Sequence, residues 1–332
     1  MTPVFPGFLD AHVHLALIDP ARLAGAGIGR VLDLGGWAPD GRLLGGTADE
    51  QAAEQAAGTA APSGLQPETR FAGQFLTAPG GYPSRQAWAP PGSSCPVASP
   101  GDAAAAVARQ ADAGAAVIKV TLNPMAGPVL NADTLAAIVA AAQERLLPVA
   151  AHAEGPGQAA AAFRAGVNLF AHTPFSQRLP DDAITAMAAR MTWISTLDIH
   201  GWGQPTAAFS TASDNLARFH AAGGRVLYGT DLGNGPLPVG LNRREIEALL
   251  ACGLSPDDVL AALTADFPHV PAGGRAASAA EASTAAPGRV TVIPGDRPTD
   301  PNDLTGFTDW LLGARSLPAS VLPRTELEDL TS

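Results

Sequence analysis

Short apolar runs alternate with Ala-rich amphipathic segments along most of the chain. FLDAHVHL (8–15), GRVLDLG (29–35), RFAGQFL (70–76), AAVIKVT (115–121), PVAAH (148–152), NLFAH (168–172), TWISTL (192–197) and RVLYGTD (225–231) read as strands. Between them, apolar positions recur at helical spacing over 102–113, 133–146, 157–165, 181–191 and 212–222, and again in NRREIEALLACG and SPDDVLAALTAD. Asn131 and Asp133 open the second of these helices, and Pro148 closes it. Eight strands alternating with helices predict an α/β chain, a parallel (β/α)8 TIM barrel over residues 1–270. The long Pro- and Gly-rich stretches 36–69 and 77–101 interrupt the rhythm around the third unit, and the second could serve as a lid. From 271 to 332 the pattern changes. AGGRAASAAEASTAAPG (272–288) reads as a low-complexity linker, RVTVIPG (289–295) as a strand, and DLTGFTDWLLGARSL (303–317) as a short helix or strand pair. This tail is expected to be an appendage packed on the barrel.

Composition narrows the class without naming a function. The chain has 332 residues, of which 46% are hydrophobic, enough for one large core. A net charge of −11 and no basic stripe argue against nucleic acid as partner. No apolar run reaches the ~18–20 residues that span a bilayer. The start MTPVFPGFLDAHVHL lacks a basic segment before an apolar core, which argues against a signal peptide. Cys95 and Cys252 make neither a disulfide framework nor a C-x-x-C site. A soluble cytoplasmic protein with a small-molecule partner is expected, and homo-oligomer formation stays open.

The histidines add chemistry. His12, His14, His152 and His172 fall at or near the C-terminal ends of expected strands, the edge where barrels build their sites. Alternation puts His12 and His14 on one face, with Ala11 and Val13 toward the helices. Asp231 ends the eighth strand beside the first, and Lys119 lies near the end of the fourth on the face of Val117 and Thr121. Each of these alone is as compatible with an ordinary core or strand-end residue. Together they aim four imidazoles, an amine and a carboxylate at one region, a donor set suited to zinc or another first-row divalent ion. His220 and His269 read as structural or solvent-exposed.

Lys119 is unusual because all nineteen other Lys and Arg residues are Arg. Four neutral imidazoles and one carboxylate supply too little negative charge for two divalent ions ~3.5–4 Å apart. An amine neutralised by burial and nearby cations can react with CO2 to give a carbamate, whose two oxygens bridge such a pair. Arg cannot, since its guanidinium stays charged. The competing reading is a lysine snorkelling from a strand end. Trp37, Tyr82, Trp88, Phe175 and Trp202 fall in expected strand-to-helix loops and suggest an apolar or aromatic substrate pocket, or simple packing on the rim. His200 and Tyr82 are candidates for orienting substrate or stabilising an intermediate. Arg85 and Arg178 are candidates for a substrate carboxylate, or plain surface charge.

PGFLDAHVH (6–14), GAAVIKV (114–120), VAAHAEG (149–155), AGVNLFAH (165–172) and LYGTD (227–231) together resemble the amidohydrolase superfamily of metal-dependent hydrolases, over roughly residues 5–268. The spacing and AGQFLTAPGGYP (72–83) are most similar to its imidazolonepropionase-like and prolidase-like branch. The resemblance implies that His12, His14 and Asp231 hold one ion and His152 and His172 a second, with carboxylated Lys119 between them. It also implies a binuclear hydrolase that cleaves an amide, peptide or cyclic-amide C–N bond with a metal-bridging hydroxide, Asp231 moving the proton. A lactonase, ester or phosphotriester hydrolase, a decarboxylase and a noncatalytic metal-binding barrel stay open. Many relatives carry a β-sandwich built from both termini. Here its N-terminal half is expected to be absent and 289–304 to be a remnant of the C-terminal half.

Overall fold

The apolar runs form the staves of one barrel, and their β-branched and small residues suit a wall buried on both faces. The computed structural model describes residues 2–19, 23, 26–36, 66–270 and 288–321. Trp37, all but the last residue of the expected linker and most of 36–69 lie outside the described residues. In chain order, β1 (Val4–Pro6), β2 (Phe8–Val13), β3 (Ile28–Asp33), β4 (Glu68–Phe71), β5 (Phe75–Thr77) and β6 (Ser94–Pro96) precede α1 (Pro100–Asp112). Then β7 (Ile118–Leu122), α2 (Ala132–Glu144), β8 (Val149–Ala153), α3 (Gln158–Arg164), β9 (Leu169–Phe170), α4 (Asp181–Ala188), β10 (Thr192–Ile194), α5 (Ala207–Ala221) and β11 (Arg225–Leu227) alternate. Helices α6 (Arg243–Ala251) and α7 (Pro256–Thr264) follow the last stave.

The parallel strands form two hydrogen-bonded runs, β11-β10-β9-β8-β7-β5-β6 and β2-β3-β4. Backbone bonds join them. Ala116 N–H donates to Phe71 O at 2.9 Å, which ties β4 to the approach to β7. Ala11 N–H donates to Tyr228 O at 2.9 Å and Asp231 N–H to His12 O at 2.8 Å, which returns the end of β11 to β2. The third stave is split into β4 and β5 around Gly73, and β6, from the stretch expected to be a lid, pairs with β5 as an addition. Asn131 caps α2 as expected, accepting from Thr134 N–H at 2.8 Å.

Two apolar clusters hold the wall. The larger lies between the staves and the helices. The smaller fills the barrel interior with Leu9, Ala11, Leu32, Val117, Ala150 and Ile194 among others. Ala11 is a correction. Strict alternation turned it toward the helices, but it packs inside. The pairing of β2 with β3 shifts register between Asp10 and Val13, and such a bulge breaks the two-residue period.

The C-terminal segment contributes β12 (Arg289–Val292), α8 (Leu304–Leu312) and β13 (Arg315–Pro318). The chain start also contributes. β1 pairs antiparallel with β12, Val4 opposite Val292, in a three-stranded sheet β1-β12-β13. The expectation of no N-terminal contribution is therefore corrected by three residues. Phe8 N–H donates to Thr291 Oγ1 at 2.9 Å, and Phe5 meets Trp310 edge-on at 6.2 Å. Phe307, Trp310 and Leu311 belong to the same apolar cluster as the staves. No helix among the described residues is long and apolar enough to cross a membrane.

Candidate metal centre

Five staves bring His12, His14, Lys119, His152, His172 and Asp231 together; all but Lys119 lie near or past the C-terminal ends, whereas Lys119, expected near the end of its strand, is the second residue of β7. His12 and His14 end β2, Lys119 lies in β7, His152 lies in β8, His172 follows β9, and Asp231 lies four residues past β11. His12 donates Nδ1–H to Ala171 O at 2.7 Å, and His14 does the same to Gly35 O at 3.0 Å. A neutral imidazole with a proton on Nδ1 has a bare lone pair on Nε2. These two Nε2 atoms lie 3.2 Å apart, each 3.1 Å from Asp231 Oδ1. That oxygen is buried and, despite the distances, has no well-directed hydrogen bond among the described residues. Converging lone pairs repel unless positive charge sits among them. His12, His172 and Asp231 each offer a ligand atom, all within 4.8 Å of one another, so these residues fit a divalent cation.

The protonation states agree. Burial pushes His12 and His172 well below the ordinary histidine range. Burial would raise Asp231, but His12 and His14 outweigh it and keep the carboxylate ionised. Burial also acts to lower His14, yet adjacent Asp231 and nearby Asp33 raise it. His172 Nδ1 lies 3.0 Å from Thr196 Oγ1, and its ring centroid is 4.7 Å from that of His12 and 5.0 Å from that of His152.

Lys119 is 1% exposed, and its Nζ lies 3.5 Å from His12 Nε2. It does not snorkel. Burial lowers its pKa from 10.5 to about 7, against the opposing pull of Asp231 and Asp33, so much of it is a neutral amine at neutral pH.

A supporting layer fixes these groups. Asp10 accepts from His12 N–H at 3.1 Å, Thr230 N–H at 3.0 Å and Thr230 Oγ1–H at 2.5 Å, so one carboxylate links the approaches to His12 and Asp231. Burial raises it to about 7. Asp33 accepts from Leu15 N–H and Gly35 N–H, both at 2.8 Å, and thereby orients the carbonyl that His14 uses. Gly35 has φ +140, and a Cβ there would fall 2.3 Å from the Phe75 ring. Among the described residues, four non-glycine residues have positive φ, and three of these serve this region: Thr196 (φ 41), Trp202 (φ 48) and Asp231 (φ 58).

Above the cluster opens a cavity of about 560 Å3. Tyr82, Trp88, Phe175, His200 and Trp202 line it, as the loop positions suggested. Tyr82 stacks on His152 with centroids 4.9 Å apart, and Phe175 packs on His200 at 4.1 Å. Burial lowers His200 to about 4, and its Nε2 is buried without a hydrogen bond among the described residues. Arg178 is a correction. It does not line the cavity, and its guanidinium pairs with Asp214 at 3.1 Å and Asp181 at 3.7 Å. Arg85 does not line the cavity either. Sequence reasoning missed Glu154, which does. Its signal was present: it follows His152 by two residues, hence on the same face of the stave. Asn123 Nδ2–H donates to Glu154 Oε2 at 2.7 Å, and His152 Nε2 lies 3.1 Å from that oxygen.

Residues 4–267 match the sequence model of the amidohydrolase family. Comparison with curated proteins returned no match. Among solved structures, the chain is similar to a Xaa-Pro dipeptidase with bound methionine, at 17% identity and TM-score 0.65, covering 95% of this chain and 84% of that one. It is similar to A. niger ochratoxinase at 18% identity and TM-score 0.64, covering 92% and 79%. A prolidase complexed with N-methylphosphonate-L-proline gives 19% identity and TM-score 0.59, covering 95% and 84%. At these identities the structural likeness speaks for the barrel fold alone.

Proposed function

Because the chain belongs to the amidohydrolase family, a family of metal-dependent hydrolytic enzymes, we propose that it cleaves an amide, peptide or cyclic-amide C–N bond at a centre built for two divalent ions. The observation that carries this reading is the meeting of His12 Nε2, His14 Nε2 and Asp231 Oδ1 within 3.1–3.2 Å, with both Nδ1 atoms committed to carbonyl oxygens. In this reading His12, His14 and Asp231 hold one ion, and His152 and His172 hold the other. Zinc suits the imidazole-rich donors. Ions so bound would supply a Lewis acid for the scissile carbonyl and would lower the pKa of water toward about 7.

The protein's residues supply the remaining steps. Neutral Lys119 Nζ attacks CO2 through its lone pair, forms an N–C bond and releases a proton, which gives a carbamate of one negative charge. Its negative charge would offset two cations held there, which a lysine ammonium would repel. Asp231 accepts the proton of the attacking water and delivers it to the departing nitrogen, which an amide requires. His200 and Tyr82 contact substrate above the centre, and the aromatic wall excludes water from it. Phe175 and Trp202 complete that wall.

The test combines metal analysis with turnover. The purified enzyme should hold two divalent ions per chain in the presence of bicarbonate and release amine from members of an amide, dipeptide and lactam panel. Full occupancy with turnover of lactones or phosphotriesters and of no amide would assign the same centre to a different bond. Carbon dioxide release without hydrolysis would assign it to decarboxylation.

A further inference from the structure

We propose that Glu154 is the receptor for a positively charged, N–H-bearing group on the substrate, so that the enzyme selects amides carrying an ammonium beside an apolar body. This rests on the hydrolase reading above and specifies its substrate class.

The argument starts from the carboxylate. Glu154 lines the cavity with a side chain 35% exposed. Asn123 Nδ2 and His152 Nε2 both approach Oε2, and among the described residues Oε1 receives no hydrogen bond. A carboxylate has about four lone-pair positions, so Oε1 of this cavity-lining residue keeps its capacity to accept. Asn123 is itself fixed, because its Oδ1 accepts from Met125 N–H at 3.0 Å and Ala126 N–H at 3.2 Å. The free oxygen therefore belongs to a held group.

The surroundings favour a cation with an apolar body. Tyr82, Trp88, Phe175 and Trp202 line the same cavity, and aromatic faces attract ammonium groups as well as covering hydrocarbon. A substrate carboxylate finds no comparable receptor: among the described residues lining the cavity there is no Arg, and the one Lys is Lys119 at the metal centre. Glu154 also lies outside the three-residue group whose ligand atoms converge on one point.

The test uses zinc-loaded enzyme and three phenylbutanamides that differ only in bearing an ammonium, a hydrogen or a carboxylate beside the benzyl group. Binding is measured by calorimetry, zinc content by elemental analysis and ammonia release in parallel. The ammonium compound should bind at least about ten-fold more tightly than the neutral one, and the carboxylate more weakly than either. Glu154→Gln should bring the first two within about two-fold at unchanged zinc content, while Glu154→Asp retains part of the preference. Equal or inverted affinities in the wild type overturn the proposal. So does loss of zinc from folded Glu154→Gln, which would make Glu154 part of the metal centre. Ammonia release reports separately on the hydrolase: the expected affinity order with no ammonia from any compound and no amine from the amide, dipeptide and lactam panel would remove amide cleavage and leave the Glu154 receptor standing.

Discussion

Replacing Lys119 by Met should stabilise the metal-free protein and disable the loaded one. The two side chains have similar length, so packing changes little. Charge does not. An unfolded chain holds this lysine near its ordinary pKa of 10.5, whereas burial brings it to about 7 in the fold. Between these values the unfolded state binds more protons, so folding stability of the wild type rises with pH across that window and its penalty is complete below it. A gap of about 3.5 pH units at 1.36 kcal/mol each gives a cost of about 5 kcal/mol at pH 6. At pH 9 about 1.5 units remain, or about 2 kcal/mol. The assay is urea unfolding of wild type and Lys119→Met in chelator and CO2-depleted buffer at both pH values. The variant should be the more stable by about 5 kcal/mol at pH 6, and the advantage should shrink by about 3 kcal/mol at pH 9. With divalent metal and bicarbonate the order should reverse, because only the wild type gains binding energy. A metal-free variant less stable than wild type at pH 6, or a difference independent of pH, would refute the claim that Lys119 is a buried amine kept for chemistry.

Three further outcomes test the remaining parts. Lys119→Ala should lose metal and activity, and short carboxylic acids should restore some of both by replacing the bridge; Lys119→Arg with full activity would end the carbamate proposal. Asp231→Asn should melt within a few degrees of the wild type but lose at least about a hundred-fold in kcat, in line with the usual worth of a general acid or base, and a wild-type rate would remove Asp231 from proton transfer. Leu311→Ala, at a fully buried position of α8, should cost about 2–5 kcal/mol in urea unfolding, and no change would show that the C-terminal segment adds nothing to the stability of the barrel.

The staves were legible in sequence because each combines an apolar run with a neighbouring helical period, and because the polar residues that break the runs sit at one end. Lys119 and His152 follow alternation closely, since β7 and β8 pair in unbroken register. Where pairing is irregular, alternation fails. The bulge in β2 turns Ala11 inward while both neighbouring histidines still reach the site, and the third stave breaks at Gly73. Strand β1 was invisible for a different reason. Three residues, VFP, carry no periodicity, and their partner lies near the other end of the chain.

The limits at the cavity are of one kind. Sequence reveals that a loop residue falls at the right edge, but not whether its charge is already spent. Arg178 and Glu154 were equally visible as charged residues after strands. Arg178 pairs with Asp214, thirty-six positions away in α5, and does not line the cavity above the cluster. Glu154 keeps an oxygen open because its two partners crowd the other one, an outcome set by how β8 packs beside the turn after β7. Residue type and strand position thus locate a candidate metal site, where several donors must converge and their joint pattern is restrictive. Substrate selection rests on single side chains whose neighbours come from other staves, so it becomes readable only when the wall has closed. For that reason the loop arginines Arg85 and Arg178 read from sequence as surface charge or as carboxylate receptors, and only the folded wall shows that neither lines the cavity while Glu154 does.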